Sequence, residues 1–397
     1  MKILTINSGS SSIKCQYFVD KTSHANLTIE NISTKDSTSH IDITYNNDTI
    51  AYDKSLKNHH QALDEIFAIL IKYEIVNSIE MLDAVGHRVV HGGSLFQEPT
   101  LITDEVIEAI ESLIPLAPLH NPANIDGIKS ILALYPHLPQ VAVFDTAFHH
   151  TMPAHAYHYA IPHRYYVKSD VRRYGFHGTS HSFVAKRASQ LLNKELDQLN
   201  LITLHLGNGA SATAIKAGQS IDTSMGLTPL EGLMMGTRSG DIDPAIIYYI
   251  SQKHNKSIKE IDTILNKESG VQGICGTNDM REVIGQAEDG DEMSQLALDM
   301  YCYHIKKYIG AYIAVLGSVD AIVFTGGIGE KASKVREIVC EGLTSAFALE
   351  IDRELNKKQS SEMRIISTPS SRIKISVIPT NEELEIALQS ERVLTQL

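Results

Sequence analysis

Cysteine is scarce in this chain of 397 residues. The four cysteines, Cys15, Cys275, Cys302 and Cys340, are scattered, and no pair of them has the spacing of a zinc or redox site. The eighteen histidines show no HExxH spacing either. The sequence therefore predicts reduced, partly buried thiols and no zinc centre.

Long apolar runs are absent as well. Met1–Ile6 is too short to be the apolar part of a signal peptide, and it ends in polar turn residues. No apolar stretch reaches the length that a transmembrane helix needs. We therefore expect a cytoplasmic protein without a membrane partner.

Positive charge is in the minority. The chain has 35 Lys and Arg against 47 Asp and Glu, a formal net charge of −12, and no Lys/Arg run of the kind that binds nucleic acid. If the ligand is an anion, the positive charge that binds it must be placed locally, against the field of the whole protein. We expect no nucleic-acid partner.

The remaining composition, 43% hydrophobic and 21% charged residues, is ordinary for a globular protein, and the length allows two domains. Apolar periodicity predicts interleaved strands and helices, which indicates an α/β fold. The predicted strands are Ile3–Ile6, Ile13–Phe18, Ile41–Tyr45, Leu82–Val90, Val141–Phe144, Leu199–His205, Ala210–Lys216, Val319–Phe324 and Ile373–Ile378. The predicted helices are His60–Tyr73, Asp104–Leu113, Ala123–Leu134, Ser180–Leu192, Met293–Leu316, Val335–Phe347 and Glu382–Leu394.

Two stretches share one pattern: an apolar strand, a turn of small residues and a second strand. MKILTINSGSSSIKCQYF turns at Asn7–Ser12 and continues with Lys14, and LITLHLGNGASATAIKAG (201–218) turns at Gly207–Ser211. Such turns offer successive backbone N–H groups to an anion, and glycine allows close approach. One such turn is more typical of a plain hairpin. Two of them, with a lysine beside the first, predict two related halves and a polyphosphate ligand between them.

Ten motifs, in order and nearly from end to end, resemble those of the acetate/propionate/butyrate kinase family. They are NSGSSSIK (7–14), GHRVVHGG (86–93), PLHNPAN (118–124), VFDTAFH (143–149), RRYGFHGTSH (172–181), HLGNGAS (205–211), SMGLTPLEGLMMGTRSGDIDP (224–244), NDMR (278–281), FTGGIGE (324–330) and PTNEEL (379–384). The family resembles the superfamily of sugar kinases, actin and heat-shock ATPases. This implies an α/β fold of two duplicated, ribonuclease H-like domains with a nucleotide cleft between them.

The resemblance also implies the domain limits and the assembly. Residues 1–147, with a returning helix in 380–397, would form the N-terminal domain, and residues 148–379 the nucleotide-binding domain. A homodimer is implied, but the sequence does not locate its interface.

The implied reaction is reversible, magnesium-dependent phosphoryl transfer from ATP to acetate, giving acetyl phosphate and ADP. Phosphoryl transfer needs charge neutralisation and in-line positioning more than covalent chemistry. A carboxylic acid with a pKa of roughly 4–5 is already ionised at neutral pH, so no general base is needed. The main obstacle is the approach of one anion to another. Arginine suits this task because it is always charged and binds oxygens bidentately.

The resemblance assigns roles residue by residue. Arg88 is expected to bind the substrate carboxylate, Arg238 the migrating phosphoryl group, and His177 to stabilise the transition state. Asp145, at the end of a buried strand, is expected to orient an arginine or a magnesium-bound water rather than to transfer a proton.

Asn7 and Glu382 match the family's magnesium positions. Mg²⁺, or Mn²⁺ in its place, prefers oxygen ligands and keeps several waters, so one amide and one carboxylate oxygen suffice.

Nucleotide contacts are implied for both hairpins and for two later motifs. The residues are Ser10, Ser12, Lys14, His205, Leu206, Gly207, Asn208, Gly209, Asp279, Met280, Arg281, Gly327, Ile328, Gly329, Glu330 and Lys331. The glycines of TGGIGE follow a strand and precede a helix, whose N-terminus can bind a phosphate or a ribose. Lys331 stands where the family usually has asparagine. Adenine-edge contacts would therefore be altered, or the basic residue would reach a phosphate instead.

The acyl pocket decides between acetate and longer acids. By motif position it is lined by Val90, Leu119, Phe176 and Pro229, with His120 near the phosphoryl oxygens, and its apolar groups leave space for a methyl group. Propionate or butyrate kinase activity is the nearest alternative. A catalytically silent nucleotide-binding regulator is another, against which the presence of every expected catalytic residue argues.

Overall fold

The computed structural model describes residues 1–9, 11–32, 38–46, 48–118 and 120–396. The chain folds into two compact units, Met1–Phe148 with Asn381–Leu397, and His149–Thr380. The predicted limits, after residues 147 and 379, lie one residue away from these, and the assignment of the units as domains stays a prediction.

Strands and helices alternate along most of the chain, as the periodicity predicts. The strands are β1 (Lys2–Ser8), β2 (Ile13–Val19), β3 (Thr22–Glu30), β4 (Ser39–Tyr45), β5 (Asp48–Lys54), β6 (Ala84–Val89), β7 (Thr100–Leu101), β8 (Gln140–Phe144), β9 (Asn200–Leu206), β10 (Ala210–Lys216), β11 (Gln219–Thr223), β12 (Ala321–Thr325), β13 (Arg364–Ile365) and β14 (Lys374–Val377). The helices are α1 (His59–Lys72), α2 (Asp104–Ser112), α3 (Asn121–Leu134), α4 (Ala154–Tyr157), α5 (Arg164–Ser169), α6 (Gly178–Leu192), α7 (Ala245–His254), α8 (Ile258–Lys267), α9 (Gly270–Cys275), α10 (Met280–Glu288), α11 (Glu292–Leu316), α12 (Gly326–Lys331), α13 (Ser333–Glu341), α14 (Thr344–Phe347), α15 (Arg353–Lys357) and α16 (Glu382–Leu394).

The first unit contains an eight-stranded sheet in the order β5-β4-β3-β2-β1-β6-β8-β7. The apolar residues of α1 with helical spacing, Leu63, Ile66, Phe67 and Leu70, are buried in its main core. Helix α16 packs against the sheet, and a Cβ on Gly86 of β6 would lie only 2.5 Å from Ser390 Oγ. The missing side chain at Gly86 therefore lets α16 approach β6 closely.

The second unit contains a six-stranded sheet in the order β11-β10-β9-β12-β14-β13. Strands β11, β10 and β9 are antiparallel, and β12 and β14 continue parallel to β9. The same succession occurs in the first unit, where β3, β2 and β1 are antiparallel and β6 and β8 follow parallel to β1. The two hairpins therefore belong to two sheets of related design, as their sequences predict.

The predicted secondary structure is wrong at one helix and incomplete in several places. The helix predicted over Val335–Phe347 is two helices, α13 and α14. Helix α13 ends at Glu341 because Gly342, which follows it, is unfavourable in the interior of a helix. Strands β3, β5, β7, β11 and β13 and helices α4, α5, α7–α10, α12 and α15 were not predicted. Most residues of β5 are polar and exposed, so this edge strand lacks the apolar alternation on which the prediction rests.

All four cysteines are free thiols, and Cys275 is half-buried while the other three are buried. Burial raises the pKa of Cys302 and of Cys340 to about 12. Within the described ranges, no helix is both long and apolar enough to span a membrane.

Candidate active site

Three predicted site residues lie at the carboxyl ends of neighbouring parallel strands in the first unit. Asn7 is near the end of β1, Arg88 near the end of β6, and Asp145 directly follows β8. Because the carboxyl ends of parallel strands meet at one edge of a sheet, residues distant in sequence are brought together there. This edge is where ligands of open α/β sheets bind.

Arg88 contacts both of the other residues. Its Nε and Nη2 donate to Asp145 Oδ2 at 2.9 and 2.5 Å, and its Nη1 donates to Asn7 Oδ1 at 3.2 Å. The Asp145 side chain is fully buried, whereas that of Arg88 is 21% exposed. Asp145 therefore orients the guanidinium from the buried side, while part of the Arg88 side chain stays exposed to solvent.

The charges around Arg88 keep it ionised. Burial by itself would lower the pKa of the Arg88 guanidinium, but the carboxylates of Asp145 and Glu382 outweigh this and raise the pKa above its ordinary value. Arg88 and Asp145 also influence the pKa of Glu382, the first residue of α16. The pKa of Glu382 is raised to about 7, chiefly because the carboxyl group is buried. Arg88 lowers this pKa, and Asp145 raises it.

The oxygen atoms of this cluster fit a magnesium ion. The Asn7 amide and the Glu382 and Asp145 carboxylates are hard donors of the type that Mg²⁺ prefers. Across the part of the chain that the structure describes, no three His, Cys, Asp or Glu side chains are grouped closely enough to bind a metal ion by themselves. Any Mg²⁺ here would therefore keep water or substrate oxygens in its coordination sphere.

Lys14 and Ser12 lie in the hairpin beside Asn7. Lys14 is directly opposite Asn7 in the antiparallel register of β1 and β2, so the two side chains are on one face of the sheet. Lys14 is exposed and Ser12 is half-buried. Ser10, the third residue predicted from this hairpin, lies outside the described residues.

The predicted acyl-pocket residues come from both units. In the first unit, Val90 is buried and lies one residue beyond the end of β6, so the strand predicted as Leu82–Val90 ends before it. His120 is half-buried directly before α3, and Leu119 lies outside the described residues. In the second unit, Phe176 is buried and Pro229 half-buried.

Two asparagines of the PLHNPAN motif, for which no role was predicted, position the residues that follow β6. Asn124 Oδ1 accepts a hydrogen bond from the Val90 N–H at 3.1 Å, and Asn121 Oδ1 accepts one from the His91 N–H at 3.1 Å. Both asparagines are buried in α3. Sequence spacing cannot predict this contact, because it depends on how α3 packs against β6.

In the second unit, His177 and Arg238 meet at the glycine turn between β9 and β10. A Cβ on Gly209 would lie 3.4 Å from His177 Nε2 and 3.6 Å from Arg238 Nη1. His177 has a left-handed backbone (φ 55°) directly before α6, and its ring stacks on His205 at 4.2 Å between centroids. Arg238 Nη1 donates to the Pro229 carbonyl at 3.2 Å. Two cationic or hydrogen-bonding groups are thus directed at one small-residue turn.

Several polar residues beside His177 were not predicted to take part. Ser211 Oγ lies 2.8 Å from His177 Nδ1 and 2.8 Å from His181 Nε2, and Thr203 Oγ1 lies 2.7 Å from His181 Nδ1. His181 and Ser211 belong to the motifs RRYGFHGTSH and HLGNGAS. The i, i+4 spacing of His177 and His181 is a signal in the sequence that could have predicted the role of His181.

A cavity of about 1320 Å³ lies in the second unit, at the carboxyl ends of β9 and β12. The predicted nucleotide residues that line it are Gly207, Asn208, Asp279, Met280, Arg281, Gly327, Ile328, Glu330 and Lys331. His205, Leu206, Gly209 and Gly329 do not line it. Residues that were not predicted, chiefly Asn278, Ile284, Lys334 and Gln359–Ser361, complete its walls.

Local hydrogen bonds hold two residues of the cavity lining, Asp279 and Glu330, in place. Asp279 precedes α10 and accepts hydrogen bonds from the backbone N–H and the side chain of Arg281. The side-chain bond to Arg281 lowers the pKa of Asp279 to about 2. Glu330 Oε1 accepts from the N–H groups of Gly326 and Thr380, at 3.0 and 3.2 Å, so this carboxylate stabilises the turn before α12.

Two sheets of related topology, each with a small-residue hairpin, define an α/β protein built from two similar units. The family model described as the Acetokinase family matches residues 2–388. The chain belongs to this family.

Individual relatives cover the chain from end to end. It is 57% identical over 397 residues to the acetate kinase of Sulfurovum sp. (strain NBC37-1), covering all of both chains. The crystal structure of Porphyromonas gingivalis acetate kinase is 43% identical, with a TM-score of 0.93 over 99% of each chain. A propionate kinase from Francisella tularensis subsp. tularensis SCHU S4 is also 43% identical, with a TM-score of 0.92 over 98% of each chain.

Proposed function

We propose that this protein is an acetate kinase, which transfers a phosphoryl group reversibly from ATP to acetate and gives acetyl phosphate and ADP. The observation that carries the proposal is the Arg88 guanidinium, kept charged by Asp145 and partly exposed at the carboxyl edge of a sheet. Such a group suits a small carboxylate. The 57% identity to an acetate kinase over the whole chain supports the same substrate.

Arg88 would bind the acetate carboxylate, and Asp145 would position Arg88. One acetate oxygen attacks the γ-phosphorus in line, and the bond from phosphorus to the ADP oxygen breaks. Because acetate is ionised at neutral pH, Asp145 has no proton to remove. Its two hydrogen bonds from Arg88 support a positioning role instead.

Arg238 and His177 would donate to the oxygens of the transferring phosphoryl group. Their side-chain nitrogens both lie close to Gly209, at van der Waals distance from the position that a Cβ of this residue would occupy. Donors already directed at developing charge lower the barrier without reorganisation during the reaction. The cavity lined by Gly207, Asn208 and Gly327 would bind the nucleotide.

Asn7 and Glu382 would bind Mg²⁺, with Mn²⁺ as the alternative ion. When bound, the ion neutralises phosphate charge. The amide and carboxylate oxygens of these residues support the assignment.

The test is formation of acyl hydroxamate from ATP, Mg²⁺, hydroxylamine and acetate, propionate or butyrate. We expect the highest kcat/KM with acetate. A preference for propionate would instead support the second candidate, a propionate kinase, which the 43% identity to a propionate kinase favours. Formation of no hydroxamate with any of the three acids would contradict the proposal.

Arg238→Lys tests the assignment of Arg238. Loss of one preorganised donor typically lowers kcat about 10²–10³-fold, and we expect KM for ATP to change much less. Arg187→Lys, at a residue that bonds Gln190 on the surface of α6, is the matched control. A kcat of Arg238→Lys within threefold of the wild type would remove Arg238 from the mechanism.

We further propose a cytoplasmic homodimer that forms through α7. The first six residues of this helix, Ala245–Ile250, are all apolar or tyrosine, yet no residue of α7 is buried within the described chain. Tyr248 and Tyr249 are 71% and 63% exposed. Aromatic side chains bury about 150–250 Å² each, so this face supplies a large part of the roughly 800 Å² per partner of a stable interface. A second copy of the chain is the occupant that we propose.

Light scattering after size-exclusion chromatography tests the interface. The wild type should have twice the mass of one chain, and Tyr248→Glu with Tyr249→Glu should shift the mass toward one chain. Tyr303→Glu, at another exposed tyrosine, is the control. A dimer that survives the α7 substitutions would place the interface elsewhere.

A further inference from the structure

A chain of buried polar groups leads from the sheet of the second unit to His177. Thr203 of β9, His181 of α6 and Ser211 of β10 are all fully buried. Thr203 Oγ1 lies 2.7 Å from His181 Nδ1, and Ser211 Oγ lies 2.8 Å from both His181 Nε2 and His177 Nδ1. Each link is therefore a hydrogen bond, and the direction of donation in one link limits the direction in the next.

We propose that Thr203, His181 and Ser211 form a hydrogen-bond chain that keeps His177 neutral with its proton on Nε2, beside Gly209. This inference rests on the proposed function, in which His177 donates to phosphoryl oxygens. The three residues are positioning residues, because they act through His177.

Two directions of donation are possible along the chain. In the first, Thr203 donates to His181 Nδ1, His181 Nε2 donates to Ser211, and Ser211 donates to His177 Nδ1. In the second, His177 Nδ1 donates to Ser211, Ser211 donates to His181 Nε2, and His181 Nδ1 donates to Thr203. Only the first leaves the proton of a neutral His177 on Nε2.

Thr203 decides between the two directions. In the second direction the Thr203 hydroxyl accepts from His181, so its own proton needs another acceptor. Within the described residues, the structure gives the Thr203 side chain no hydrogen-bond partner besides His181. A buried donor without an acceptor is costly, and the first direction satisfies all three donors. The first direction is therefore the stable one.

The buried surroundings of His181 oppose a positive charge on its ring. Burial lowers the pKa of His181 well below its ordinary value, with further contributions from His149 and His205, so His181 stays neutral. The contacts of His149 also determine its tautomer. A carbonyl can only accept, so His149 Nε2 donates to the Phe176 carbonyl at 2.9 Å, and His149 Nδ1 then accepts from Ser220. The charged or titratable groups near His177 include His205, stacked on its ring, His181, joined to it through Ser211, and Arg238, which also lies close to Gly209.

A neutral donor has a consequence for phosphoryl transfer. A histidine that donates only when protonated would lose its function as the pH rises through its ordinary pKa of about 6.5. With the proton already on Nε2 of the neutral ring, His177 donates on both sides of that pH. The hydrogen-bond chain therefore removes one source of pH dependence from the reaction.

The direct test is the tautomer of His177, measured by ¹⁵N-histidine NMR on the full-length protein from about pH 6 to about pH 8.5, a range that includes the ordinary histidine pKa. The His177 signals are assigned by comparison with His177→Ala. We expect a neutral ring with a protonated Nε2 throughout. A proton on Nδ1, or titration of the ring within this range, would overturn the proposal.

Thr203→Val removes the hydroxyl that sets the direction. We expect His177 to show a mixture of tautomers or to titrate, and kcat at pH 8 to fall about two- to tenfold relative to the wild type, with a smaller deficit at pH 6. The deficit should depend on pH because a protonated His177 carries a proton on Nε2 in either direction. Damage to the fold alone would lower kcat equally at both values.

Two variants serve as controls. Thr203→Ser keeps the hydroxyl and should retain the wild-type tautomer. Thr213→Val makes the same change directly opposite Thr203 in the sheet, where the hydroxyl bonds Thr223 instead, and should leave the ratio of kcat at pH 8 and pH 6 unchanged. A Thr203→Val protein with the wild-type tautomer and pH ratio would contradict the inference.

If Thr203→Val does not fold, Ser211→Ala tests the other end of the chain, where loss of the hydroxyl should change the ¹⁵N signals of His177; unchanged signals would overturn the inference. The NMR result is independent of the proposed function. A wild type that forms no acyl hydroxamate would refute acetate kinase activity, while the spectra would still decide whether the chain sets the tautomer.

Discussion

Asp145 accepts two hydrogen bonds from Arg88 on the same oxygen, Oδ2, from Nε at 2.9 Å and from Nη2 at 2.5 Å. The carboxylate is fully buried and follows β8, whereas the arginine is near the end of the neighbouring strand β6. A buried carboxyl partner restricts the orientation of the guanidinium and raises its pKa. We propose that the pair forms a receptor for a small anion.

Replacement of Asp145 by asparagine should weaken this receptor. The variant loses the charge but keeps a group of similar shape, and hydrogen bonds to charged groups contribute about 1.5–3 kcal/mol. We expect kcat/KM for acetate to fall roughly tenfold to a hundredfold, with a smaller change in KM for ATP. Steady-state kinetics measure both. Asp126→Asn, on the exposed surface of α3, is the control, and equal losses in the two variants would refute the role of Asp145.

Glu382 should make stability depend on pH. Its pKa is raised to about 7, chiefly by burial, from an ordinary value of about 4.5. Its contribution to the free energy of unfolding is therefore fully present below about pH 4.5 and is lost as the pH rises through about 7. Glu382→Gln cannot ionise, so the stability of this variant relative to the wild type should rise between these pH values.

We expect a relative gain of about 1–3 kcal/mol, since one pKa unit corresponds to about 1.4 kcal/mol. Urea unfolding in the presence of EDTA, at pH 5 and pH 8, measures it. Glu354→Gln, at an exposed position in the first turn of α15, is the matched control. A difference between Glu382→Gln and wild type that is equal at both pH values would show that Glu382 ionises normally.

Val90→Ala should change the preference for acyl chain length. The substitution removes two methyl groups from a buried side chain two residues after Arg88. A pocket methylene is worth about 1–3 kcal/mol, or roughly 10–200-fold, so the ratio of kcat/KM for propionate to that for acetate should rise about tenfold. Val315→Ala, at an exposed residue of α11, should not change the ratio. An unaltered ratio in Val90→Ala would place Val90 outside the pocket.

Lys331→Asn should sharpen nucleotide discrimination. Lys331 lines the large cavity of the second unit and is exposed. An amide at this position can hydrogen-bond the edge of adenine, and a neutral hydrogen bond contributes about 0.5–1.5 kcal/mol. We expect the ratio of kcat/KM for ATP to that for GTP to rise about two- to tenfold. Lys334→Asn, in the same cavity wall, is the control, and a larger effect there would show that the base does not contact residue 331.

Much of the architecture follows from local patterns. The helical spacing of Leu63, Ile66, Phe67 and Leu70 predicts α1, and the two small-residue turns predict two related sheets, because apolar periodicity and turn composition are properties of short segments. Val335–Phe347 was predicted as one helix since its apolar spacing continues across Gly342. Edge strand β5 could not be predicted, because its pairing depends on a neighbour and not on its own pattern.

The sequence by itself determined which chemical groups are available: the arginines, carboxylates, histidines and glycines of ten motifs, and the family to which they belong. Only the tertiary structure decided which of them act on one another. Asp145 reaches Arg88 because parallel β6 and β8 end at one edge of a sheet, and Ser211 joins His177 to His181 because α6 packs against β9, the strand that pairs with β10. Neither contact can be read from spacing along the chain, since hydrogen-bond geometry and burial depend on the packing of segments that are distant in sequence.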